Sequence, residues 1–390
     1  IWALWWTTER LDPIWAAVLA AEALTMGVTA LVLRRGLVDR TAVVGDRAQP
    51  NPNRHQLLDV YRVPLRNVAE VLGLVALSAA LWTCWHDVAT IHHAPAPVVT
   101  ALCLGALYLL TAWDYRSRER TWLGSMIVLA GLVHAFVLNY TGYLDLPWLD
   151  ALLAHATLAV LACVLLEAWG RRRPSQFPVD LVRRVFVGPL GETALLSSAL
   201  AVAALPLVSW QNTISLALCL FWLAGIWMVI AATHRWPVMC AAAQAMLTLA
   251  VGVAATAWLQ HHPWDPTGRV DLVEPRSLQV YGIGFALLSL LWIGARMGLR
   301  RNAVAGRLLN PGWPTVDRIV VHAVVVLQLL LLALHLLPGC LRELVSSPRG
   351  PLAVFPSETF GPTAWMLLGL LAAAMMAALW QRWREDEMAS

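Results

Sequence analysis

Apolar runs of about 20 residues, separated by short polar stretches, recur from one end of this 390-residue chain to the other. They fall near 13–33, 67–85, 98–113, 121–139, 148–169, 190–209, 213–232, 237–259, 278–297, 316–337 and 361–381. Each is long enough to cross the hydrocarbon core of a bilayer as a helix. In lipid a run of this kind satisfies all its backbone N–H and C=O groups only by coiling into a helix. The pattern therefore predicts an all-α polytopic bundle of about 11 transmembrane helices.

The runs are also periodic. Pro64, Pro189 and Pro314 lie 125 residues apart, and each is followed three positions on by a residue suited to a helix start: Asn67, Glu192 and Asp317. A proline that fixes φ, followed by an amide or acid facing unpaired N–H groups, is a reasonable opening for a spanning helix. These marks divide the chain into tandem parallel units of four helices. Residues 1–33 hold the last helix of a preceding unit and 34–66 a cytoplasmic connector, after which 67–169 form a four-helix unit. A second connector, 170–189, leads to a second four-helix unit over 190–297, and a third, 298–315, leads to a two-helix half unit with its tail over 316–390. Because Ile1 opens within an aromatic helix end, more protein is expected before it.

Composition agrees with this class. Hydrophobic residues make up 59% of the chain and charged residues 13%, and the mean hydropathy is +0.63. Soluble globular domains of this size are much more polar. All basic side chains other than histidine are arginine, which together with the Ala, Leu and Val content suggests a GC-rich bacterial source. Arginines gather in alternate loops, so the positive-inside rule places the first residue outside and Ser390 in the cytoplasm of a bacterial inner membrane. The net charge of +4 is spread over short connectors and does not suggest a nucleic-acid partner. Six cysteines occur without a CxxC pair. Many of the 21 tryptophans mark predicted helix ends, as interfacial anchors do.

Candidate chemistry lies in the polar groups that lipid penalises. His134, His155, Gln244, His322 and His335 fall within predicted spans, and intramembrane ionisable groups are functional candidates by default. His322 and His335 are 13 residues apart on one predicted helix, about 20 Å by helical rise. That spacing resembles the paired haem ligands of b-type cytochromes, but no second helix carries such a pair. Ligation of a haem or chlorin by His134 or His155 is the remaining cofactor reading, and no cofactor is expected to be required. The adjacent pairs His92-His93 and His261-His262 lack a ligand framework, so no metal site is expected. Glu9, Asp12 and Asp265 lie in predicted outer loops. They resemble the outer-loop acid that polytopic glycosyltransferases acting on lipid-linked sugars use as a general base.

Proline-led starts, tryptophan-rich ends and small-residue faces all serve insertion and packing. They point to a structural or assembly role, as a subunit or scaffold of a membrane complex, and away from an enzyme. The expected partners are the lipid bilayer and either other membrane subunits or further repeats of a longer chain. A transporter would instead show a mid-membrane cavity lined by His134, His155 or Gln244, and a glycosyltransferase an outward groove ending at Asp265 or Glu9.

Overall fold

A computed structural model describes residues 13–43, 52–86, 95–139, 147–172, 179–205, 213–261, 275–299 and 362–389, with scattered positions between 302 and 326. Every extended element among them is helical. We label the helices α1 (Pro13–Val43), α2 (Pro52–His86), α3 (Ala96–Tyr115), α4 (Arg118–His134), α5 (Pro147–Arg172), α6 (Val179–Ala204), α7 (Thr213–His234), α8 (Pro237–His261), α9 (Pro275–Leu299) and α10 (Pro362–Ala389). All ten contain a segment long and apolar enough to span a membrane, so the chain is a multi-pass membrane protein. The run expected at 316–337 lies outside the described residues, apart from Val326.

Several helices extend past their apolar windows. α1 continues to Val43 and α2 already begins at Pro52, so much of the connector expected over 34–66 is helix. Hydropathy detects only the lipid-facing length of a helix, whereas Arg, Gln and Leu prolong it into polar surroundings without penalty.

The chain divides into two compact units, Ile1–Val208 and Ser209–Ser390. In the first, α1 lies against α2 and α3 through fully buried alanines: Ala20 and Ala76 meet Leu104, and Ala23 and Ala69 meet Leu107. Lipid tails supply no hydrophobic drive between helices, so small side chains gain contact by letting backbones approach. The same device joins α3 to α4. A Cβ on Gly124 would stand 2.9 Å from the Gly105 carbonyl oxygen, and one on Gly131 would stand 2.7 Å from the Ala101 Cβ. α5 and α6 pack together and against α4, completing this unit.

In the second unit α7 and α8 form a hairpin, α8 meets α9, and α9 meets α10. Polar pairs join these helices: Thr213 with Gln260 at 2.6 Å, Thr256 with Tyr281 at 2.7 Å and Thr363 with Gln279 at 2.5 Å. Ala286, Leu367 and Leu371 close the α9–α10 contact.

The hairpins α3–α4 and α7–α8 turn in the same way. Arg116 (φ 51°) and Arg235 (φ 57°) take the left-handed conformation just past the first helix. The next residue's N–H then bonds back, Ser117 to the Ala112 carbonyl at 3.2 Å and Trp236 to the Ala231 carbonyl at 3.1 Å. This is the glycine-type helix ending, here with arginine at the position that favours glycine.

Candidate functional site

The site is shaped by the stretch Val187-Gly188-Pro189, which the sequence marks as a helix start. It is instead the interior of α6, which is already helical from Val179. Proline has no N–H, so the bond that residue 189 would send to the Val185 carbonyl is missing. The helix adjusts through a π-helical turn, Arg183–Val187, in which the Gly188 N–H reaches the Arg183 carbonyl. The freed Val185 carbonyl accepts from the buried Thr121 hydroxyl of α4 at 2.7 Å. The Cys163 thiol of α5 adds a bond to the Val187 carbonyl at 3.4 Å. Proline is tolerated in a membrane helix when neighbouring side chains satisfy the groups it frees, and that is what Thr121 of α4 does here.

Pro64 is a second case. It lies inside α2, which starts twelve residues earlier at Pro52, so Asn67 is also a mid-helix residue. Asp317 lies outside the described residues. Proline marked a recurring position within long helices, and only the apolar window beyond it made it resemble a start.

Below the π turn, four side chains form a closed polar cluster. His155 of α5, 1% exposed, has Nδ1 3.1 Å from the Ser197 hydroxyl and Nε2 3.1 Å from the Ser125 hydroxyl. Nε2 is also 3.0 Å from the Ser125 carbonyl, and the Ser125 and Thr193 hydroxyls are 2.8 Å apart. A neutral imidazole has one donor and one acceptor. The network assigns the proton to Nε2, facing a carbonyl that can only accept, and leaves Nδ1 as the acceptor beside Ser197, whose single hydroxyl proton it shares with the Thr193 carbonyl at 3.0 Å. Ser125 then donates to Thr193, which donates to the Leu190 carbonyl at 3.0 Å. Every polar atom of the histidine is used inside the protein. The cluster ties α4, α5 and α6 together, and each interhelical bond of this kind contributes on the order of 0.6 kcal/mol, up to about 1.7.

Beside this cluster lies a cavity of about 350 Å³, within the first unit. Its wall is hydrocarbon and aromatic: Leu109, Trp113, Ala159, Ala162, Phe186 and Leu190 are typical, and Ser125 and His155 are the polar side chains that reach it. Trp113 and Phe186 stack at 6.1 Å with 17° between their planes. Leu158 and Trp169, which also line it, are 49% and 45% exposed, so the cavity reaches an exposed apolar flank of the unit.

A comparison with protein-family models, curated proteins and solved structures finds no match. The geometry of the chain itself therefore carries the functional argument.

An ionic layer covers one end of the first unit, where α3 and α5 finish and α4 and α6 begin. Arg118 holds both carboxylate oxygens of Glu192, at 2.5 and 2.6 Å, and the Trp122 indole N–H donates to the same group at 2.8 Å. Arg120 pairs with Glu70 at 2.9 Å, and Arg66 and Arg120 both stack over the Tyr115 ring. One oxygen of Glu167 takes Arg171 at 2.8 Å and Arg183 as well. Glu192, singled out for its place after Pro189, is thus an ion-pair partner bridging α6 to α4.

Of the remaining candidates, the described ones, Gln244 and His134, are not part of this site. Gln244 is buried in α8 of the second unit, and half-buried His134 is not among the residues lining the cavity. Glu9, Asp12, Asp265, His322 and His335 lie outside the described residues. The sequence reading missed Thr121, Ser125, Thr193 and Ser197. Their signal was a four-residue spacing of hydroxyls, Thr121 with Ser125 and Thr193 with Ser197, which places each pair on one helix face.

Proposed function

We propose that this multi-pass membrane protein takes the hydrocarbon chain of a membrane lipid into the cavity of its first unit. The observation that carries the proposal is the character of the cavity. It has the volume of a small-molecule site, which typically begins at about 300 Å³, yet its wall is apolar and it reaches an exposed apolar flank of the unit.

A site for a hydrophilic solute at mid-membrane needs polar groups left to bind it. His155 and Ser125 are already committed to Ser197, Thr193 and backbone carbonyls. A haem or chlorin on His155 would likewise have to displace one of those bonds. We therefore assign His155 as the clamp that fixes three helices around the cavity. A transport role keeps its place here as movement of a lipid. Membership of a larger assembly, expected from the sequence, is compatible with this site but is not what its geometry favours.

The test is photolabelling in vesicles with a phospholipid whose acyl chain carries a photoactivatable group. Adducts should map to cavity residues such as Ala159, Ala162 and Phe186, and Ala162→Phe, which fills the space, should suppress them. Labelling confined to outward-facing Leu161 and Leu165, with Ala162→Phe inert, would refute the proposal.

A further inference from the structure

We infer that the lipid held in this cavity is an anionic phospholipid, selected by the arginines at the cavity's ionic end; this inference rests on the reading of the cavity as an acyl-chain site. The cavity runs along α5 from His155 and Ala159 through Ala162 and Leu166 to Trp169 and Gly170. His155 and Gly170 are 15 residues apart on that helix, about 22 Å by helical rise. One leaflet of hydrocarbon is about 15 Å deep. A chain entering at the Gly170 end therefore fits with its headgroup at that end and its tail towards His155.

Charge decides which headgroup. Gly170 is followed by Arg171 and Arg172, and Val182, which lines the same end, is followed by Arg183 and Arg184. Arg171 and Arg183 converge on a single oxygen of Glu167, so two guanidiniums share one carboxylate. Arg172 and Arg184 are exposed, and Asp180 is the other acid on the described part of this segment. Among the described residues, four arginines against two carboxylates leave two positive charges on the turns that follow Gly170 and Val182. Guanidinium presents a planar fork of donors that matches phosphate oxygens, and its side chains at 63% and 40% exposure for Arg171 and Arg183 leave N–H groups facing outward. A zwitterionic headgroup would bring its own cation to this surplus, whereas an anionic one removes it.

The experiment uses the whole protein in vesicles of zwitterionic lipid containing equal traces of two photolabelled phospholipids with the same acyl chain, one anionic and one zwitterionic. The cavity adduct should favour the anionic lipid by about fivefold or more, the effect of about one arginine at a membrane surface. The preference should fall in R172Q/R184Q, which leaves both partners of Glu167 in place, and should fall in the unchanged protein at high salt. Equal labelling by the two lipids would overturn the headgroup assignment while leaving the acyl-chain site standing. A preference that survives both R172Q/R184Q and high salt at full strength would overturn it too. Absence of any cavity adduct would remove the acyl-chain site and this inference with it.

Discussion

Replacing Thr121 by Val tests how α6 accommodates Pro189. The change keeps the shape of the side chain and removes the hydroxyl that bonds the Val185 carbonyl at 2.7 Å. A buried carbonyl left without a donor costs about 1–3 kcal/mol, and interhelical hydrogen bonds in membranes reach about 1.7 kcal/mol. A loss of about 1–2 kcal/mol is therefore expected. Restoring an N–H through Pro189→Ala gives the carbonyl a donor within its own helix, so Thr121→Val should then cost little. The coupling in a double-mutant cycle should be about 1 kcal/mol. Reversible unfolding in mixed micelles, followed by far-ultraviolet circular dichroism, measures all four proteins. An equal loss from Thr121→Val in both backgrounds would show that Pro189 does not create the need for the hydroxyl.

Three further outcomes follow from the same packing. Gly124→Val places a side chain against the Gly105 carbonyl and should reduce folded protein by more than about 2 kcal/mol, read by unfolding or by detergent-resistant yield; wild-type stability would refute the close α3–α4 approach. His155→Ala should loosen α4, α5 and α6 and raise amide exchange around Thr193 and Ser197, whereas Ser78→Ala, whose hydroxyl bonds the carbonyls of Leu74 and Val75 on α2, should leave that exchange unchanged. Glu167→Ala leaves Arg171 and Arg183 without their shared carboxylate, and because those guanidiniums are 63% and 40% exposed it should destabilise by only about 1 kcal/mol, whereas a loss several times larger would mean that water does not reach them.

The membrane class and the places of ten helices were legible because a hydrocarbon solvent demands long apolar helices and little else can meet that demand. Helix ends were less legible. Pro64 and Pro189 look like starts to a reader of hydropathy, but neighbouring helices supply the missing bonds at Pro189, and sequence cannot display a neighbour. Glu70 and Glu167 each lie four residues from an arginine of their own helix, Arg66 and Arg171, yet Arg120 and Arg183, which pair with them, come from other helices. Packing also crosses the boundaries of the units expected from the proline period. α6, assigned by the proline period to the unit over 190–297, packs with α4 and α5 in the first compact unit. Similarly, α2 packs on α1, the helix assigned to a preceding unit. Both cases have the first helix of one expected unit leaning on the last helix of another, an arrangement that a linear period does not specify. His155 was visible as a candidate, while the hydroxyls that occupy it were hidden among ordinary serines and threonines.

The ionic layer has a bearing on the order of synthesis. Glu70 leaves the ribosome 50 residues before its partner Arg120, and Trp122 and Arg118 appear some 70 residues before Glu192. The first acid therefore enters the membrane ahead of its cation, and the second finds its cation waiting. α2 completes its ionic contacts only when α4 arrives, while α6 can be captured on entry. A nascent chain stopped after α3 would hold α2 through Arg62–Asp114 and the stack of Arg66 on Tyr115, and one stopped after α4 would add the Glu70–Arg120 pair.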